Sequence, residues 1–142
     1  MESIILDTNV LSELMRPQPD QGVMAWFAER TDTVFYVSTI TQAEILLGIA
    51  LLPSGKRREG LAAAAEGMFS QDFAGRCLPF DTTCSARYAA IVSGRRRAGH
   101  STSTEDALIA AIALTHRYSL ATRNTKDFLH IDGLTLHNPW QS

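Results

Sequence analysis

Features that would place a chain in a membrane or outside the cell are missing from this sequence of 142 residues. Its longest apolar stretches, residues 45–52 and 107–114, each span eight residues, whereas a membrane helix needs about 20. The N-terminus runs from Met1 directly into a short apolar segment, without the basic start and cleavage site of a secretion signal. The two cysteines, Cys77 and Cys84, lack metal-binding spacing. We therefore expect a cytoplasmic protein with reduced cysteines and no membrane partner.

Common catalytic motifs are absent as well. The sequence has no HExxH of zinc peptidases, no GxSxG of serine hydrolases and no GxxxxGK[ST] phosphate loop. The formal net charge is -2, so bulk charge does not attract nucleic acid. The commonest hydrolase and nucleotide-binding classes are thus excluded, and any nucleic-acid partner must be drawn by a local patch.

Alternating strand and helix patterns predict the fold class. Apolar or β-branched runs predict strands at residues 3–6, 34–37, 76–80, 119–122 and 134–136, with Pro79 favouring a sheet edge for the third. Capping residues and helical spacing predict intervening helices, among them residues 40–52, 56–73 and 104–117. This alternation predicts an α/β fold in which helices cover both faces of a parallel sheet, as a single domain over residues 1–142.

Three aspartates lie where ligands are expected in such a sheet. Asp7 ends the first strand, Asp106 opens an apolar helix and Asp127 follows the fourth strand. Ligands of open α/β sheets bind beyond the carboxyl ends of the strands. Each aspartate also has a purely structural explanation: an N-cap for Asp7, a capping box for Asp106 and a turn for Asp127.

Glu44 differs because it falls in the middle of a predicted helix. With Ile40, Leu47 and Leu51 it forms a stripe at helical spacing, which predicts that it faces the core. No basic residue lies within helical reach of it. A buried glutamate there must be paired with a distant arginine, protonated or bound to a cation.

The four acids together indicate a metal site. Carboxylates gathered in one cleft repel one another unless some are protonated or a divalent cation neutralises them. Oxygen ligands favour Mg²⁺, with Mn²⁺ as an alternative, over Zn²⁺. On the residues alone, a metal-dependent phosphohydrolase and a noncatalytic binding module whose acids are caps both fit.

The motifs around these acids resemble those of a PIN domain over the whole chain. They are Leu6-Asp7-Thr8-Asn9, Glu44 within residues 38–44, Glu105-Asp106 before an apolar helix, and residues 122–128. Residues 78–81 and 138–140 resemble the FitB-type branch of the VapC toxins. The resemblance implies a three-layer α/β/α sandwich and a Mg²⁺-dependent endoribonuclease, the toxin of a type II toxin-antitoxin pair. It also implies a homodimer, a VapB- or FitA-like antitoxin, and promoter DNA bound through the complex.

The resemblance also implies roles for residues. Catalysis and metal binding fall to Asp7, Glu44, Asp106 and Asp127. Some family members have their fourth acid at the position of Asn124, so Asn124 and Asp127 both stay open as the fourth ligand. Nearby hydroxyls are expected to orient carboxylates or metal-bound water: Thr8, Ser38 and Thr122.

Arginines near the acids are candidates for contact with RNA phosphates. Arg16 and Arg123 lie close in sequence to the predicted site. The two dense basic runs, residues 56–58 and 95–97, are predicted to be solvated faces instead.

Overall fold

A parallel five-stranded sheet is the centre of the fold. The computed structural model describes residues 1–141, and its strands are β1 (Glu2–Leu6), β2 (Thr33–Ser38), β3 (Cys77–Leu78), β4 (Ser119–Ala121) and β5 (Leu136–His137). They lie in the order β3-β2-β1-β4-β5, and each pairing is parallel. The carboxyl ends of the strands therefore meet at one edge of the sheet, where ligands of such sheets bind.

Helices connect the strands and cover both faces. Within residues 1–141 the α-helices are α1 (Thr8–Leu14), α2 (Gln21–Ala28), α3 (Thr39–Ala50), α4 (Lys56–Gly67), α5 (Ser85–Arg97) and α6 (Thr104–His116). A π-helical turn covers Met68–Asp72, and 3₁₀ turns cover Thr82–Cys84 and Thr125–Phe128. The predicted α/β class and the three-layer sandwich are confirmed.

β1 is the central strand and contributes to both cores. Ile4 and Leu6 pack with Trp26 on the face covered by α1 to α4, while Ile5 packs with Ile112 on the face covered by α5 and α6. All five side chains are buried. Because both faces of β1 are covered, its sequence is a continuous apolar run rather than an alternating one.

The predicted core face of α3 is wrong. Leu47 and Leu51, which share the stripe with Glu44, are 59% and 76% exposed. The buried residues of α3 are instead Thr41, Ile45 and Ile49, so the helix is rotated relative to the prediction. Glu44 lies beside this buried face and is itself only partly buried.

Several element boundaries also differ from the sequence prediction; β3, for example, covers only Cys77–Leu78 instead of residues 76–80. The predicted helix 56–73 is divided, because α4 ends at Gly67 and a π-helical turn follows it. β5 begins at Leu136 rather than at residue 134, because Leu134 belongs to a turn in which Gly133 has a φ of +83°. β3 lies at the sheet edge, as Pro79 predicted.

No helix among residues 1–141 is both long enough and apolar enough to cross a membrane.

Candidate active site

Asp7 is fixed at the carboxyl end of β1 by hydrogen bonds to both of its carboxylate oxygens. Its Oδ1 accepts from the backbone N–H of Thr8 at 2.8 Å, and its Oδ2 accepts from the hydroxyl of Thr122 at 2.7 Å. The side chain is only 4% exposed. Asp7 is also the N-cap of α1. It therefore has the capping role that the sequence allows and also lies at the strand end where ligands are expected.

Asn9 is a polar residue at this edge that sequence reasoning missed. Its Nδ2 donates to Asp7 Oδ2 at 3.3 Å and to Thr122 Oγ1 at 3.4 Å. Its Oδ1 accepts from the backbone N–H of Arg123 at 3.1 Å. Asn9 thereby joins the start of α1 to the turn after β4. Its position two residues after Asp7 in a polar strand-end segment was the available signal.

Glu44 is tied to the end of β1 through Thr8. The Thr8 hydroxyl donates to Glu44 Oε1 at 2.6 Å and lies 3.0 Å from the Thr41 hydroxyl. Because a hydroxyl has a single proton to donate, Thr41 is then the donor to Thr8. The predicted orienting role of Thr8 thus has a structural basis, and Thr41 is a second residue that the sequence did not reveal.

Asp106 stands in the first turn of α6, and its backbone N–H donates to the Ser103 hydroxyl at 3.1 Å. Burial raises its carboxyl pKa, as do the negative charges of Asp7, Asp127 and Glu44, to about 6. The Ser103 hydrogen bond acts in the opposite direction. The other three predicted acids therefore lie within electrostatic reach of this carboxyl group.

The pKa of Asp7 is also raised. Burial is the main cause and the Glu44 charge adds to it, while hydrogen bonds from Thr122, Thr8 and Asn9 oppose the shift. The pKa values of two acids from different elements are thus raised, first by burial and then by the charges of neighbouring carboxylates.

Asp127 lies on the 3₁₀ turn after β4 and Asn124 directly precedes this turn, and the two residues have different surroundings. Asp127 is partly buried and its charge acts on Asp106. Asn124 is exposed, and its backbone N–H donates to the Thr122 hydroxyl at 3.1 Å. The two residues also share a turn, since Asp127 N donates to Asn124 O at 3.0 Å.

Ser38 and the two predicted arginines occupy the surroundings of the acids. Ser38 is buried and caps α3 by accepting from the Thr41 N–H at 3.1 Å, so it acts on the helix that carries Glu44. Arg16 pairs with Glu13 at 3.1 Å, and it lines a groove of about 480 Å³ together with Glu44. The Arg123 guanidinium lies 5.0 Å from the Trp140 ring centre.

The acids suit a hydrated hard cation better than a closed metal cage. Among residues 1–141, no three His, Cys, Asp or Glu side chains are arranged around one point that a metal ion could occupy. Mg²⁺ keeps several waters and is usually held through one or two carboxylates. A set of oxygen ligands that raise one another's pKa fits such an ion, which would relieve their repulsion.

Comparison with known proteins agrees with this geometry. The family model described as PIN domain matches residues 4–134, and PIN-domain nucleases are generally dependent on divalent metals. VapC ribonuclease Y4jK of Sinorhizobium fredii is 41% identical, with 97% of this chain and 98% of that protein covered. Toxin FitB of Neisseria gonorrhoeae is 43% identical, with 96% and 98% covered.

A solved structure agrees as well. The chain in the structure of FitAB bound to an IR36 DNA fragment superposes with a TM-score of 0.88 at 42% identity, over 98% of this chain and 96% of that one. Residues 4–134, which the family model matches, include Asp7, Glu44, Asp106 and Asp127. This chain belongs to the PIN-domain family, in the group that includes VapC ribonucleases and Toxin FitB.

Proposed function

We propose that this chain is a Mg²⁺-dependent endoribonuclease and the toxin of a type II toxin-antitoxin pair. The observation that carries the proposal is the polar edge of the sheet at which Thr8 donates hydrogen bonds to both Asp7 and Glu44. Asp106 lies within reach of this edge, since burial and then the charges of Asp7, Asp127 and Glu44 raise its pKa to about 6. We infer that the four acids hold a hydrated cation at the ligand-binding edge of the sheet, some of them through water rather than directly. Two relatives that align over nearly their full length are named VapC ribonuclease and Toxin FitB, and these names support a ribonuclease toxin.

In this proposal Asp7, Glu44, Asp106 and Asp127 hold Mg²⁺, or Mn²⁺ in its place, directly or through water. When bound, the ion supplies an activated water for attack on a phosphodiester and offsets the charge that develops on the phosphate. Asp127 is the fourth ligand in preference to Asn124, because it carries a charge and acts on Asp106 while Asn124 is exposed.

The surrounding polar groups orient these acids. Thr122 and the Thr8 N–H hold the two oxygens of Asp7 in place, and the Thr8 hydroxyl holds Glu44. These donors limit the rotation of the carboxylates, as hydrogen bonds from neighbouring groups do in metal sites. Ser38 does not contact Glu44 directly; it caps the first turn of the helix that carries Glu44.

RNA is the proposed substrate, and Arg16 and Arg123 are the proposed phosphate contacts. Arg16 lines the groove that begins at Glu44, and the exposed Arg123 follows Thr122 at the end of β4. Phosphate contacts of this kind position a nucleic acid without reading its sequence. They place the strand across the acidic edge, where cleavage would take place.

The proposed partners are a VapB- or FitA-like antitoxin and, through the complex, promoter DNA. The relative of known structure was solved as FitAB with a DNA fragment. The groove lined by Glu44 gives an antitoxin segment room to lie against this acid. A homodimer is proposed as well, and the exposed Leu46 and Leu47 of α3, with Leu51 directly after it, support contact with a second copy. We place this single-domain protein in the cytoplasm.

The test is cleavage of matched RNA and DNA oligonucleotides by the purified chain with Mg²⁺, Mn²⁺ or chelator. Asp7→Asn should abolish RNA cleavage. Asp132→Asn, an exposed aspartate in the turn before Gly133, is the matched control and should cleave normally. Full RNA cleavage by Asp7→Asn would contradict the proposal. Hydrolysis of only small phosphate esters would point to a different phosphohydrolase.

A further inference from the structure

Arg95 departs from its two neighbours in the basic run 95–97. Its side chain is only 4% exposed, whereas Arg96 and Arg97 are exposed. The prediction of a solvated face is therefore wrong for this one residue. A buried arginine is uncommon, because the guanidinium is charged at all ordinary pH values and must be satisfied inside the protein.

The guanidinium of Arg95 is satisfied by neutral oxygens. Its Nε donates to the Thr102 hydroxyl, its Nη1 to the carbonyl of Leu129, and its Nη2 to the carbonyl of Ser101 at 3.2 Å. Among residues 1–141 the carboxylates within 4 Å of a basic side chain are Glu13, beside Arg16, and Glu2, beside His137, so no carboxylate neutralises Arg95. Its burial is therefore compensated by hydrogen bonds alone, which need these acceptors at fixed positions.

These acceptors belong to two segments that each carry a proposed metal ligand. Ser101 and Thr102 directly precede Ser103, whose hydroxyl caps α6 by accepting from Asp106 N. Leu129 directly follows the 3₁₀ turn Thr125–Phe128, which contains Asp127. The backbone of Arg95 also contacts the segment after α5, because its carbonyl accepts from the N–H of His100 at 2.8 Å.

We propose that Arg95 is a positioning residue that sets the spacing between Asp106 and Asp127. This inference rests on the proposed function. The planar guanidinium presents donors in fixed directions and can hold two backbone segments at once, whereas a lysine ammonium is a single flexible point. Arg95 therefore holds the two segments together without touching either carboxylate.

A pair of histidines reports on this arrangement. His100 precedes Ser101 and His130 follows Leu129, and their rings stack with centres 5.1 Å apart and planes 16° apart. Both are exposed. Contacts between the two rings in an NMR spectrum therefore measure whether the segments remain together, independently of any activity.

The experiment compares Arg95→Lys with the unsubstituted protein. We measure Mn²⁺ affinity by calorimetry well below the melting temperature, kcat and KM for RNA cleavage, and the His100–His130 ring contact. Arg95→Lys should weaken Mn²⁺ binding and lower kcat by about 10–100-fold, the range seen when an outer residue of a metal site is removed. KM should change little, and the ring contact should be lost. Arg96→Lys, the exposed neighbour, should match the unsubstituted protein in every measurement.

A second comparison separates positioning from general loss of stability. Ile91→Ala removes a buried side chain of the same helix and should lower the melting temperature without weakening Mn²⁺ binding. Thr102→Val removes one hydrogen-bond acceptor of Arg95 and should weaken Mn²⁺ binding, as Arg95→Lys does. If Arg95→Lys does not fold, the Mn²⁺ affinity of Thr102→Val tests the inference in its place. Folded variants that bind Mn²⁺ like the unsubstituted protein would overturn the inference, as would an equal loss in Ile91→Ala. If the unsubstituted protein binds no Mn²⁺, the proposed function fails, and the inference fails with it.

Discussion

The hydroxyl of Thr122 donates to Asp7 Oδ2 at 2.7 Å, and so joins two residues that are 115 positions apart in the chain. The two side chains are buried at the carboxyl ends of β4 and β1, which pair in parallel. This hydrogen bond lowers the pKa of a carboxyl group that burial raises. Thr122 therefore favours the ionised form of Asp7, which is the form that a cation needs.

Thr122→Val tests this relationship with little change of side-chain volume. Loss of the hydroxyl should raise the pKa of Asp7 further, so that RNA cleavage falls about 10-fold or more and recovers in part at higher pH. Cleavage rates measured from pH 5.5 to 9 check the change. Thr115→Val is the control, because the Thr115 hydroxyl only donates to a carbonyl of its own helix. An unchanged pH profile in Thr122→Val would contradict the role of the hydrogen bond.

The raised pKa of Asp106 predicts how stability of the metal-free protein depends on pH. In the folded state this pKa is about 6, while an unfolded aspartate has a value of about 3.9. The folded state therefore binds more protons between these values. The contribution of Asp106 to stability is fully present below about pH 4 and is lost as pH rises through about 6.

Urea unfolding at pH 4.5, 5.5, 6.5 and 7.5 in the presence of chelator measures this dependence. The free energy of unfolding should fall between pH 4.5 and 7 in the unsubstituted protein, and it should fall less in Asp106→Asn. The exposed Glu105→Gln, one residue earlier, should keep the dependence of the unsubstituted protein. If Asp106→Asn retained the full dependence, Asp106 would not be the group responsible.

Glu44→Gln separates repulsion among the acids from a structural ion pair. The amide oxygen can still accept from Thr8, while one negative charge that raises the pKa values of Asp7 and Asp106 is removed. The metal-free protein should be equally stable or more stable, and RNA cleavage should fall sharply. Thermal unfolding and a cleavage assay check both expectations, with the exposed Glu66→Gln as control. A loss of more than about 2 kcal/mol of stability would indicate a buried ion pair instead.

Substitutions after β4 assign the fourth ligand. Asp127→Ala should reduce RNA cleavage more than Asn124→Ala does, because only Asp127 carries charge that acts on Asp106. Asn124→Asp should be tolerated, since it adds an acid on the same turn. Initial cleavage rates at saturating Mg²⁺ measure the order. Activity lost in Asn124→Ala and retained in Asp127→Ala would reverse the assignment and leave the other three acids unaffected.

The sequence predicted the positions of the aspartates well, because those positions depend on local signals. A continuous apolar run ending in Asp7 indicates a buried parallel strand and its carboxyl end, and Ser103 ahead of Asp106 indicates the start of a helix. The layer order and the edge position of β3 followed from the same kind of pattern.

The orientation of α3 and the burial of Arg95 could not be obtained in this way. Leu47 and Leu51 resemble core residues in sequence, yet they are exposed, and apolar residues on the surface look the same as buried ones in a single sequence. Arg95 reaches Leu129, which is 34 positions away. Asn9 and Thr122 likewise meet across 113 positions. Only the folded chain shows such contacts.

The most direct test of the shared metal site is the melting temperature measured during titration with Mg²⁺ or Mn²⁺. An ion that binds only the folded state raises the melting temperature by mass action. We predict a rise that saturates in the unsubstituted protein, and that is lost or strongly reduced in Asp7→Asn and in Asp106→Asn. The same rise in these variants as in the unsubstituted protein would contradict the claim that the four acids hold one divalent cation.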